Sequence, residues 1–189
     1  MTVIEDKSNL FKVSARLGLV LGLYFILKYL CMLNFFRAPE LLSLIYIFLT
    51  LMVPVIVYVL IKRYRDSRPA DQPFGVMHGW QFGVMLYAFA SILVALPHYV
   101  FYEYVLPAHI DQIEMMAEQL LQKPGMEEIF NQAFKGLTLT ELIEKSMSVP
   151  AVTRVFNDIS DNLFWGIIIS IPIAFMLRKK DTRKQETNI

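Results

Sequence analysis

Asp158 and Asp161 stand three residues apart in the segment RVFNDISDNLFW, with Asn157 and Asn162 beside them. On a helix that spacing puts both carboxylates on one face. Two carboxylates with amide oxygens nearby are a donor set for a divalent cation or a proton relay. The same residues also suit a solvated helix entrance, with Arg154 four positions before Asp158 as its ion partner. A second isolated charge is Lys28, set in the apolar run LGLYFILKYLCML. A third set lies in PHYVFYEYVLP, where Tyr99, Phe101, Tyr102 and Tyr104 surround His98 and Glu103. That pattern fits an aromatic belt at a membrane surface, or a headgroup cradle in which His98, Tyr102 and Glu103 make the contacts. The three histidines, His78, His98 and His109, have no metal-ligand spacing, and Cys31 is the single cysteine, so neither a disulfide nor a cysteine-based zinc site can form within the chain. Phosphate-binding, serine-hydrolase and zinc-protease signatures are missing from the sequence. No catalytic residue, metal or cofactor is therefore assigned, and the chain reads as non-enzymatic.

The elements that must hold these residues are membrane helices. The hydrophobic set makes up 56% of 189 residues, above the roughly 45–50% of soluble domains, and mean hydropathy is +0.46. A net charge of +1 gives no overall attraction to nucleic acid, so no nucleic-acid partner is expected. Leu17 to Phe36 is broken only by Lys28, Leu41 to Ile61 carries no charge, and Trp80 to Tyr102 is apolar between Asp71 and Glu103. Each approaches or exceeds the roughly 20 residues that cross about 30 Å of hydrocarbon. A fourth run, Asn162 to Leu177, becomes long enough if its helix starts near Val155. The expected spans are 14–36, 41–61, 79–105 and 155–177, in a single membrane domain covering 1–189. No small-residue cleavage site follows the first run, so that run is expected to stay as a helix.

Twelve basic residues fall on one side of this arrangement: Lys7, Lys12, Arg16, Lys62, Arg63, Arg65, Arg68, Arg178, Lys179, Lys180, Arg183 and Lys184. Five fall on the other: Arg37, Lys123, Lys135, Lys145 and Arg154. The positive-inside rule then makes both termini cytoplasmic. The connection over 108–154 is acidic and periodic. Ile110, Ile113, Met116 or Ala117, Leu120 and Leu121 share one stripe, Pro124-Gly125 interrupts it, and Met126, Ile129, Phe130, Ala133 and Phe134 form another. Thr138 followed by Glu141 is a capping box for a third helix. The fold class is all-α: an integral membrane bundle of four transmembrane helices with an extracytoplasmic helical cap between the third and fourth.

Gly75, Gly79 and Gly83 recur at four-residue spacing, as do Gly18 and Gly22. Such faces let helices approach closely, within the chain or between copies. Lys28 comes out about 22 Å into the membrane and Asp161 about 24 Å, at 1.5 Å per residue. An ion pair between them, or snorkelling of the lysine to the outer surface, would lower a cost of roughly 2.5–3.5 kcal/mol for a lysine at a helix centre. The small size and the packing faces point to an accessory, scaffold or regulatory protein that packs against a membrane partner or itself, with the lipid bilayer as its surroundings. The alternative is a small ion- or proton-coupled carrier using Lys28 and the Asp158/Asp161 pair. A lipid-modifying enzyme would need a nucleophile or metal that the chain does not display.

The segment YRDSRPADQPFGVMHGWQFGVMLYAFASI, residues 64 to 92, ends the second run with Tyr-Arg-Asp and leads through a Gly-rich approach into the third. In this and in its layout, an acidic helical outer loop and a basic tail, the chain resembles domain-of-unknown-function family 4199. The resemblance implies a small bacterial four-span protein of the inner (cytoplasmic) membrane. It carries over no catalytic residues.

Overall fold

The computed structural model describes residues 3–34, 38–69 and 72–179, with side chains from Asn9 onward. Phe36, Arg37, Lys180, Arg183 and Lys184 lie outside the described residues, as does the side chain of Lys7. The described chain is helical throughout: α1 (Val3–Leu33), α2 (Pro39–Asp66), α3 (Val76–Val100), α4 (Ile110–Leu121), α5 (Met126–Phe134), α6 (Leu139–Met147) and α7 (Ala151–Leu177). Among the described residues the one β-type pairing is an isolated antiparallel bridge between Phe74 and Lys179. Four helical segments are long and apolar enough to cross a membrane: Asn9–Leu33, Pro39–Asp66, Val76–Val105 and Ala151–Leu177.

Local chemistry sets the helix limits. Pro39 opens α2, where a fixed φ suits the first turn and a missing N–H costs nothing. Glu40 sits at the positive end of the α2 dipole, and Arg63 and Arg65 sit at the negative end. Those cations carry α2 past the uncharged run, to Asp66. Pro97 lies near the end of α3 and cannot donate to the ladder. The helix then loosens into a π-turn over Phe101–Val105, closed by Leu106 N–H donating to the Phe101 carbonyl at 2.8 Å.

Packing divides the chain into one unit of residues 1–96 and 157–189 and another of 97–156. In the first unit α3 is the central helix, burying Gly79, Phe82, Gly83, Leu86, Tyr87, Ala90, Ser91 and Val94. Its contacts with α1 keep one register: Ser14 Oγ meets Met85 Sδ at 3.8 Å, Gly18 faces Phe89, and Gly22 faces Leu93. Both partners advance by four residues, so α1 and α3 run parallel. On the other side Gly79 faces Ala174, Gly83 faces Ser170, and Tyr87 covers Gly166. There one partner advances as the other retreats, so α3 and α7 run antiparallel, with Trp80 Nε1 donating to the Ile167 carbonyl at 3.3 Å. Tyr24 Oη donates to the Leu49 carbonyl at 2.7 Å, tying α1 to α2.

In the second unit, α4, α5 and α6 bury no residue. α5 starts after Gly125 and ends at Lys135 and Gly136, all three with positive φ, so glycine is the favoured residue at two of these turns. The capping box read from the sequence is present: Thr138 Oγ1 accepts from Glu141 N–H, and a Glu141 carboxylate oxygen accepts from Thr138 N–H at 2.8 Å. Thr140 Oγ1 donates to Glu114 across α6 and α4 at 3.2 Å.

Candidate functional site

Four of the five glycines expected to pack are filled from inside the chain. A Cβ at Gly18 would lie 2.6 Å from Phe89 Cβ, at Gly22 2.8 Å from a Leu93 methyl, at Gly79 2.9 Å from the Phe74 ring, and at Gly83 2.6 Å from Ser170 Cβ. Gly75 has nothing within 4 Å. These close approaches hold α3 against α1 and α7 in the first unit.

Lys28 lies five residues before the end of α1 and is half-buried. Its ammonium sits 5.4 Å from the centroid of Phe25, one turn back, and 5.0 Å from that of Tyr46 on α2. A cation over ring faces is attracted to the ring quadrupole by roughly 0.5–2 kcal/mol. Two such rings replace part of the hydration the lysine gives up. Asp158, half-buried on α7, is close enough to Tyr46 for its charge to reach the phenol. Lys28 and Asp158 thus share Tyr46 as a neighbour. Asp161, one turn further along α7, is exposed, as is Asn157, while Asn162 is half-buried. No ion pair joins Lys28 to Asp161 among the described residues; the pair found there is Arg65–Asp66, at 2.7 Å. Steps of 100° per residue explain the division, because three residues turn Asp161 about 60° away from Asp158 and out of the bundle.

In the second unit His98 meets the Tyr102 ring edge-on, with centroids 6.2 Å apart, while Glu103 is exposed. Two of the three expected outer-interface residues thus come together. Arg154 lies over Tyr102 at 5.5 Å and donates to the carbonyls of Ser146 and Val149. Its guanidinium so covers carbonyls left open where α6 ends, a partner that a helix C-terminus requires.

A polar cluster that sequence reasoning missed lies where α2 leads into α3. Tyr64 is 1% exposed and stacks on Phe82 at 3.9 Å with planes 5° apart. Tyr64 Oη lies 2.9 Å from His78 Nε2, and Arg68 reaches the same nitrogen at 2.7 Å. Arg68 also donates to Tyr64 Oη at 3.1 Å and to Gln72 Oε1 at 3.0 Å. A guanidinium has donors only, so His78 Nε2 accepts and the ring proton resides on Nδ1. Phe74 packs edge-on to both Tyr64 and His78, and its backbone pairs with Lys179 at the end of α7. The cluster ties the α2–α3 connection to the end of α7. The signal available in sequence was the four-residue spacing of Tyr64, Arg68 and Gln72, inside the segment that carries the family resemblance.

Among the described residues, no group of three or more His, Cys, Asp or Glu side chains is placed to hold a metal ion. No curated protein and no solved structure matches the chain. The model of one family, described as "Protein of unknown function (DUF4199)", matches residues 16–179, and with most of its length inside that match the chain belongs to this family.

Proposed function

We propose that this chain is a non-enzymatic accessory, scaffold or regulatory subunit of a bacterial inner membrane, packing against a membrane partner or against itself. In this reading both termini are cytoplasmic and α4–α6 form an extracytoplasmic cap, in keeping with the twelve-to-five division of basic residues. The observation that carries the proposal is the state of the cap helices. α4, α5 and α6 are amphipathic, yet Met115, Leu120, Ile129 and Phe134 are 53, 46, 60 and 39% exposed. Helices of this length are marginal in water unless an apolar face is covered. A partner laid on that face would supply the cover, and the acidic polar side of these helices is unlike the basic one that helices lying on lipid present.

The test is photo-cross-linking from position 129 in native membranes, followed by co-purification and mass spectrometry. One defined protein should be captured from wild-type α5 and lost on Phe134→Glu. A strictly lone protein that supports proton-dependent uptake in vesicles would refute the reading.

A further inference from the structure

The membrane-spanning helices hold two opposite charges that the fold leaves without an ionic partner in one another. Lys28 lies within the Asn9–Leu33 span, five residues from its end, in a run with no other charge from Leu17 onward. Its ammonium rests on Phe25 and Tyr46 rather than on a carboxylate. Asp161 is exposed on α7, with exposed Asn157 one turn before it and exposed Phe164 and Trp165 about one turn after it, 57 and 56% accessible. A carboxylate carried within a membrane span is costly unless water or a counter-charge meets it.

We propose that the occupant of this face is a second copy of the chain, with Lys28 of each copy reaching Asp161 of the other. This rests on the reading of the chain as a packing subunit and names one of its partners. Paired copies in a membrane are related by a two-fold axis along the membrane normal, which leaves depth unchanged and makes every contact occur twice. The two charges must therefore lie at similar depth within one chain. Lys28 sits at the level of Tyr46, which feels the charge of Asp158, and Asp161 follows Asp158 by three residues. That is an offset of about 4.5 Å at 1.5 Å per residue, inside the span of a lysine side chain. Asp161 points out of its own bundle, so the ammonium it meets comes from outside. The glycine faces, filled from within, leave this charged face as the feature that distinguishes a second copy from lipid. The exposed aromatic side chains beside Asp161 supply the kind of rim that surrounds such anchors in interfaces.

The experiment uses full-length chains bearing two different tags, co-expressed in native membranes. Native Cys31 lies three residues after Lys28, and, because α1 and α7 run antiparallel, Asn157→Cys places a second thiol on the same side of the pair, four residues before Asp161. A bismaleimide should join Cys31 of one copy to position 157 of the other, read as a band carrying both tags. The band is expected to disappear in Lys28→Asp and in Asp161→Lys, and to return when both reversals are combined. A band indifferent to the single reversals, or one that the combined reversal does not restore, overturns the proposal. Should a single reversal prevent folding, Lys28→Met and Asp161→Asn replace it, and a full-strength band in both would overturn the proposal equally. Capture of a different protein at position 129 with no two-tag band leaves the packing subunit standing and overturns the self-pairing. A two-tag band with nothing captured at 129 does the reverse for the cap.

Discussion

Gly83→Ala tests whether the α3–α7 contact is as close as the structure has it. The added Cβ would lie 2.6 Å from Ser170 Cβ, closer still to Ser170 Oγ, and 3.1 Å from Ile61 Cδ1. Ser170 is a helix residue with no length to swing aside, so α7 itself must shift. Overpacking of this kind costs about 1–3 kcal/mol. Against it stands a gain of roughly 0.8–1 kcal/mol from replacing glycine by alanine in a helix. The single substitution is therefore destabilising by about 0–2 kcal/mol, too broad a range to decide anything alone. A double-mutant cycle with Ser170→Gly is sharper, because the propensity changes of the two positions cancel and the steric term remains. Ser170→Gly removes the two Ser170 atoms that the new methyl would meet and leaves Ile61 Cδ1, the end of a flexible side chain, so Gly83→Ala should become neutral or favourable in its presence. The coupling should be about 1–3 kcal/mol. Ser170→Ala keeps Cβ and removes only Oγ, a buried hydroxyl without a hydrogen-bond partner, and should show weaker coupling. The assay is unfolding of the full chain in detergent micelles, followed by tryptophan fluorescence, since Trp80 bonds across this interface to Ile167. Additivity within about 0.5 kcal/mol, the behaviour of independent sites, would refute the close approach and the antiparallel register with it.

Two other perturbations follow from the clusters. Tyr64→Phe keeps the stack on Phe82 but removes a hydroxyl shared by His78 and Arg68, and should cost about 1–3 kcal/mol in the same unfolding assay, as leaving buried polar groups short of a partner does; an unchanged midpoint would mean that the hydroxyl is dispensable. Bonds from the backbone N–H and hydroxyl of Thr138 hold the Glu141 carboxyl below its ordinary value. A group whose value is lower when folded contributes stability above its unfolded pKa and loses it as pH falls through the folded one. Amide protection factors over 139–147, that is, rates taken relative to intrinsic exchange at each pH, should therefore fall on acidification below the usual carboxylate range. Thr138→Ala should lower them at neutral pH and remove most of that pH dependence.

The membrane helices were legible because their signal is continuous. Uncharged runs of about twenty residues admit few other readings, and the capping box was legible because Thr138 and Glu141 are neighbours in sequence. The four-residue glycine spacing announced close approach but not its partner. Only the pairing of α3 with α1 and α7 shows that Phe89, Leu93, Phe74 and Ser170 fill those faces. Lys28 shows where such reasoning stops. Phe25 could be placed one turn behind it on α1, whereas Tyr46 comes from α2 and appears only once the helices pair. Asp158 and Asp161 share a helix face by spacing, and the surroundings of that face decide that one is half-buried and the other exposed. The Tyr64–Arg68–His78 cluster was hidden for a different reason. Arg65 and Arg68 read as topology charges, and the bend after Asp66 that returns His78 to Tyr64 leaves no periodic trace.

The placement of the small residues also bears on how such a protein would recognise anything. Helices in lipid gain nothing from burying apolar surface against each other, since lipid tails are equally apolar. Their association rests on close packing at small residues and on polar contacts. This chain commits Gly18, Gly22, Gly79, Gly83 and Gly166 to its own α1–α3 and α3–α7 contacts. The exposed faces of α2, carrying Leu41, Leu44, Ile47, Phe48, Leu51, Val55 and Val59, are apolar and offer a partner no advantage over lipid. Two features remain that lipid cannot satisfy. One is the exposed Asp161 with Asn157 on α7, and the other is the set of amphipathic faces on α4–α6. If the chain packs against a partner as proposed, the contact falls on what its small residues leave free, so variation at these two places should alter that association while leaving the bundle folded. Variation at the glycines should do the opposite.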